Sequence, residues 1–255
     1  MNARLAPFAH SAKSRSYRNS GAAGFRQTVA SLVFLLALAP CALIAQAPPA
    51  APEPPKFVVV LDAAHGGNDL GAKIGSQSEK DLTLALSVKL RSLLMARGIY
   101  VVTTRESDAN FSPDRRAEIA NHANAAACLD LHAAQVSEKD SPAVHLFLSS
   151  LPAARRGGLP PWRTAQAASI RRSLALAGEL NSALTQAGVT VTLGRAPLAA
   201  VDSMTCPAVA VEIAMQPTPD ASDDSEFEST VLDALAAALV EWRADGTQLG
   251  GVRQP

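Results

Sequence analysis

The 255-residue chain is 48% hydrophobic, with 23 basic and 23 acidic residues, which leaves room for one α/β domain with a sizeable core or two small domains. The zero net charge is unevenly spread: residues 1–55 hold five of the bases (Arg4, Lys13, Arg15, Arg18 and Arg26) against Glu53, so the remainder has 18 basic and 22 acidic residues, a net of −4. A mildly acidic body without a basic stripe argues against nucleic acid as the main partner.

Residues 1–47 read as an export signal. A basic, acid-free start leads into the apolar run Val29 to Ala45, which ends at the small-x-small site Ala45-Gln46-Ala47. Pro40 breaks that run, which favours a cleaved signal over a membrane span. Residues 48–55 form a proline-rich, polyproline-type linker, and the folded body is expected over 56–244 with a disordered tail at 245–255. Cys128 lies in an apolar run and Cys206 precedes Pro207. An oxidising compartment permits a disulfide, but the two are expected as buried free thiols.

Within the body, Val58 to Leu61 is a short β-branched run that predicts a strand buried on both faces. His65-Gly66-Gly67 follows at its carboxyl end, where open α/β sheets place ligands. A glycine-punctuated loop, 68–78, leads to a helix with Ser78 as N-cap, acids in the first turn and Gly98 at the end. Ile99 to Thr104 predicts a second strand. A helix follows Ser112-Pro113 and runs to about Asn124. Strands are expected at Ala127 to Leu131, with His132 at its end, and at Val144 to Ser149. A Pro/Gly/Arg-rich loop, Leu151 to Arg163, holds Arg155, Arg156 and Trp162. A long helix at 164–187 precedes extended pieces near 189–193 and 197–201. The last apolar run, Ala208 to Ile213, contains Glu212, an unusual carboxylate in a buried strand pattern. An acidic loop, 220–226, then leads to a closing helix at about 227–243. Strand–helix alternation implies a single α/β domain with a mostly parallel sheet covered on both faces.

His65, Glu79, His132 and Glu212 should converge on one edge of that sheet. Two imidazoles and a carboxylate suit a catalytic zinc ion with one position open for water, and Glu212 would be the acid or base beside it. Glu79 also has an ordinary reading, since an acid in a first helical turn suits the helix dipole. His122 is expected on a solvated helix face and His145 as a partly exposed strand residue. Arg115 and Arg116 lie in a first helical turn, where arginines are usually just solvated.

The ordered set Val59-Val60-Leu61-Asp62-x-x-His65-Gly66-Gly67, Glu79-Lys80-Asp81, Thr104-Arg105, Arg116 with Ile119-Ala120-Asn121, Leu131-His132-Ala133 and Pro207-Ala208-Val209-x-Val211-Glu212-Ile213 resembles the zinc-dependent N-acetylmuramoyl-L-alanine amidases of the type 3 family. The resemblance covers roughly Lys56 to Arg243. It implies a phosphorylase/hydrolase-like fold with about six strands, one catalytic zinc on His65, Glu79 and His132, and Glu212 as the catalytic glutamate. The implied substrate is peptidoglycan, cut at the amide between the lactyl group of N-acetylmuramic acid and L-alanine. The implied setting is the periplasm or cell envelope, with a protein activator as a candidate partner. With that substrate, Arg115 and Arg116 are candidates for steering an anionic stem peptide, and the loop Leu151 to Arg163 is a candidate glycan contact, too short for the inhibitory helix that some relatives hold there. Where the family usually has Pro-Gly before the first histidine, this chain has Ala63-Ala64. It also has Ala134 two residues after the second histidine, and Ala214-Met215-Gln216-Pro217-Thr218 after the glutamate. These departures frame an alternative expectation, a catalytically impaired peptidoglycan-binding or regulatory relative.

Overall fold

The computed structural model describes residues 57–137, 139–152, 164–216 and 221–251. The expected signal and linker, and the loop holding Arg155, Arg156 and Trp162, lie outside the described residues. A six-stranded sheet organises what is described. Its strands are β1 (Val58–Ala63), β4 (Tyr100–Thr103), β5 (Ala127–Gln135), β6 (Ala143–Ser149), β7 (Thr190–Ala196) and β8 (Ala208–Met215), in the order β4-β1-β5-β8-β6-β7. β4, β1, β5 and β8 are parallel. β6 pairs antiparallel with β8 and parallel with β7. The buried, largely apolar interiors of β1, β5 and β8 follow from their central places, with neighbours on both sides and helices on both faces.

Helices α1 (Glu79–Ala96), α3 (Gln166–Gln186) and α5 (Ala221–Gly251) cover one face. Leu86, Leu90, Leu94, Leu176, Leu180 and Leu235 pack there against Val59, Leu61, Leu129 and Val211. Helices α2 (Pro113–His122) and α4 (Ala199–Asp202) cover the other face over Val60, Cys128 and Ala208. Among the described residues no helix is long and apolar enough to cross a membrane.

The local signals hold at α2, where Pro113 opens the helix and the Ser112 hydroxyl accepts from the Arg115 N–H. They fail elsewhere for local reasons. Ser78 stands at the N-cap of α1, but its hydroxyl donates to the Asp81 carboxylate 2.6 Å away and does not cap the backbone. The expected loop 68–78 contains a small hairpin, β2 (Lys73–Ile74) and β3 (Gln77–Ser78), turning at Gly75. The piece near 197–201, expected to be extended, is instead the short helix α4. Its Asp202 carboxylate caps back onto the Leu198 N–H and accepts from the Ser149 hydroxyl. α5 starts within the acidic run, because carboxylates suit a first turn, and continues past 243 to Gly251.

The free-thiol expectation is corrected. Cys128 and Cys206 form a disulfide with their Cα atoms 6.1 Å apart. β5 lies beside β8 with Cys128 opposite Ala208, which brings Cys206, two residues upstream, within bridging distance.

Candidate metal centre

Chain order reverses at β1: β4 lies on one side of it and β5 on the other. Such a reversal leaves a crevice at the carboxyl ends of the two strands, and side chains following β1 and ending β5 face into it. His65 follows β1, and His132 lies near the end of β5. Glu79, the first residue of α1, is carried to the same place by the hairpin that precedes it.

The three side chains meet. Glu79 Oε2 is 3.0 Å from His65 Nε2, and Oε1 is 2.9 Å from His132 Nδ1. The imidazoles stand edge to face with centroids 5.5 Å apart, and one donor atom from each of the three residues lies within 4.8 Å of the others. Glu79 is only 5% exposed, and its carboxylate also accepts from the N–H groups of Ala72 and Ala133. Gly71 seals this side. A Cβ there would lie 2.6 Å from Glu79 Oε2 and 2.7 Å from the His65 ring, and its φ of +64° suits glycine. His65 itself has φ +63°, an unusual conformation for a non-glycine residue, of the kind that concentrates at functional sites. Neutral, the two imidazoles and the carboxylate carry one negative charge around a common point. That donor set fits zinc.

The electrostatics reflect the same clustering. Burial works against ionisation of Glu79, yet hydrogen bonds from His132, His65 and Ala72 hold its carboxyl well below the usual carboxylate range. The Glu79 carboxylate raises the pKa of His65 against the effect of burial, with help from Asp69, whose Oδ2 is 3.0 Å from Nδ1. Burial lowers His132, but Asp130 and Glu79 more than offset it and push the imidazole up to about 10.

Two arginines clamp the strand end. Arg116, six per cent exposed, is not the solvated helix-face residue expected. Its guanidinium donates to the carbonyls of Ala63 and His65 and lies 2.5 Å from Asp62 Oδ1. Arg105 donates to the carbonyls of Ala63, Ala64 and Lys80. Thr83 donates to Ala64 as well. Asp62 is buried beside Asp130 on the neighbouring strand. Burial and that carboxylate push Asp62 up to about 6, against the opposing pull of Arg116 and Thr104. Sequence reading held Asp62, Thr104, Arg105 and Arg116 within its motif but assigned them no clamp, and it passed over Asp69, whose one local signal was its spacing four residues after His65.

Glu212 is half-buried on β8, directly opposite His132 on β5 and His145 on β6. Register neighbours share a face, so Glu212 and His132 project side by side, about 5 Å apart at the backbone. His145 is a half-buried strand residue as expected, 2.5 Å from Thr192 Oγ1 through Nδ1. His122 is exposed and 2.9 Å from the Glu118 carbonyl. Arg115 is paired with Glu118 at the surface.

Comparison with known proteins places this geometry. The germination-specific N-acetylmuramoyl-L-alanine amidase of Bacillus subtilis (strain 168) is 33% identical over 89 residues, covering 29% of this chain and 38% of that protein. The chain spans less than two-fifths of each curated relative it matches. Among solved structures, the catalytic domain of CwlV, an N-acetylmuramoyl-L-alanine amidase from Bacillus (Paenibacillus) polymyxa var. colistinus, aligns with a TM-score of 0.58 and 23% identity. The alignment covers 74% of this chain and 98% of that one. The CwlD amidase from Clostridioides difficile, solved in complex with the GerS lipoprotein, aligns with a TM-score of 0.57 and 20% identity, over 74% of this chain and 99% of that one. The sequence profile of the N-acetylmuramoyl-L-alanine amidase (type 3) family matches residues 59–240, most of the chain, and to that family the chain belongs.

Proposed function

We propose that the chain is a zinc-dependent amidase that hydrolyses peptidoglycan at the bond between the lactyl group of N-acetylmuramic acid and L-alanine of the stem peptide. The observation that carries this reading is the meeting of His65, Glu79 and His132 at the β1/β5 crevice with Glu212 one strand away. In this reading His65, Glu79 and His132 hold the metal. Bound there, zinc supplies Lewis acidity that polarises the scissile carbonyl and lowers the pKa of an attacking water towards about 7. Glu212 takes the proton from that water and delivers it to the departing amine of L-alanine. Arg105 and Arg116 keep the backbone of residues 63–65 fixed, so His65 meets the substrate already oriented.

The Ala63-Ala64 departure does not weaken this support, because the clamp grips the carbonyls of those residues and not their side chains. That favours an active enzyme over an impaired relative. Export of the chain, with residues 1–47 as a cleaved signal and the periplasm or envelope as destination, agrees with a disulfide, which persists in oxidising compartments. A protein activator is a candidate partner; the CwlD amidase, a structural neighbour, forms a complex with the GerS lipoprotein.

Mass spectrometry of peptidoglycan digested by zinc-loaded protein tests the reading. Free stem peptides beginning at L-alanine are expected from the wild type. Glu212→Ala should bind zinc equally and release product about 10²- to 10⁴-fold more slowly. Cleavage inside the stem peptide would instead identify a peptidase. Zinc binding with no release by either protein would favour the impaired relative or a missing activator.

A further inference from the structure

We propose that Asp130 is a positioning residue for His132: it accepts a hydrogen bond from Nε2–H and so holds the ring with Nδ1 turned toward Glu79, as the nitrogen that gives up its proton when zinc binds. The inference rests on the metal-site reading above. Strand alternation puts residues 130 and 132 on the same face of β5. Asp130 Oδ2 lies 3.3 Å from His132 Nε2, while Nδ1 of the same ring lies 2.9 Å from Glu79 Oε1. The ring is therefore held at both nitrogens, by one carboxylate within the three-residue cluster and another behind it.

The surroundings of Asp130 show what else its carboxylate is for. It is 7% exposed and stands in register with Asp62, itself 1% exposed. Two buried carboxylates on adjacent strands repel, and each needs a partner. Asp62 has Thr104 and Arg116, both 2.5 Å from its Oδ1. Among the described residues the only hydrogen-bond partner of the Asp130 side chain is His132. Asparagine would fill the same space without the repulsion, so retaining a carboxylate makes sense through its action on the imidazole. A carboxylate behind a metal-binding histidine fixes its tautomer and ring orientation and makes the facing nitrogen a better donor.

The test uses the full chain, stripped of metal and titrated with zinc against a chromophoric chelator. Wild type should bind one zinc. Asp130→Asn should bind it about 10- to 100-fold more weakly. In the metal-free state Asp130→Asn should keep the far-ultraviolet circular dichroism spectrum of wild type, so that weaker binding is not a consequence of misfolding. A merely structural role predicts a loss of folded protein with unchanged zinc affinity in what remains folded, and that result would overturn the proposal. Asp130→Asn affinity within twofold of wild type would overturn it too. Nitrogen-15 NMR of the zinc-loaded wild type provides a check that needs no variant: the His132 proton is expected on Nε2, and a proton on Nδ1 would sink the idea. Failure of wild type itself to bind zinc would overturn the metal site, and this inference with it. Loss of binding in Glu79→Ala alone would leave the metal site standing and remove only Asp130.

Discussion

Glu79 sets the chemistry at the scale of single residues, because one buried carboxylate touches both imidazoles. Without a metal, those contacts favour the protonated histidines, and His132, which the Asp130 carboxylate raises even more than Glu79 does, is the extreme case. Its folded pKa of about 10 lies above the ordinary 6.5, so the protonated imidazole stabilises the fold. That contribution is fully present below pH 6.5 and is lost as pH rises through 10. The thermal midpoint of metal-free protein is therefore expected to decline across this window, and His132→Asn should flatten the decline. Parallel curves for the two proteins would show that another group titrates there. Zinc binding should release protons over the same range, since a protonated nitrogen cannot bind metal. At this scale the candidate ligands were legible only as a set: Glu79 alone is an ordinary first-turn acid, and the company of His65 and His132 made it stand out. Arg116 was not. Its partners Asp62, Ala63 and His65 are more than fifty residues away in sequence, and nothing local separates a buried first-turn arginine from a solvated one.

Strands and long helices were legible at the scale of elements because burial on both faces writes unbroken apolar runs, and helices write leucines at the spacing of their buried faces. Elements without room for a period were not. β2 and β3 have two residues each and α4 has four, too few to show alternation or a helical stripe. The disulfide was hidden for a different reason: an apolar run containing Cys128 looks the same whether or not β8 lies alongside it. The bridge spans 78 positions and ties β5, which carries His132, to the segment entering β8, which carries Glu212. Closing a loop of that length restricts the unfolded chain and typically contributes about 2–4 kcal/mol. Replacing both cysteines by alanine should lower stability by about that amount in urea denaturation, with an unchanged register between β5 and β8. A loss below about 1 kcal/mol would mean that strand pairing alone holds the two elements together.

Across the whole described body, alternation of strands and helices pointed to a mostly parallel sheet, but strand order is non-local, and the reversal at β1 that creates the crevice emerges only in the assembled sheet. The architecture separates scaffold from site. The hydrophobic layers on both faces and the arginine clamp involve no metal, whereas the three candidate ligands come from three separate segments: the loop after β1, the start of α1 and the end of β5. A ligand that binds only the folded arrangement of such segments adds stability by mass action, about 4 kcal/mol at a thousandfold excess over its dissociation constant. For a domain of this size that corresponds to a rise in thermal midpoint of roughly 8–16 °C. Removing zinc with a chelator should reverse the rise and leave the far-ultraviolet circular dichroism spectrum unchanged, since the sheet and its helices are held by their own packing. Glu79→Ala should show neither the rise nor the reversal. A chelator that also abolished the helical signal would mean that the metal holds the fold together, so that His65, Glu79 and His132 would form a structural centre rather than an open catalytic one.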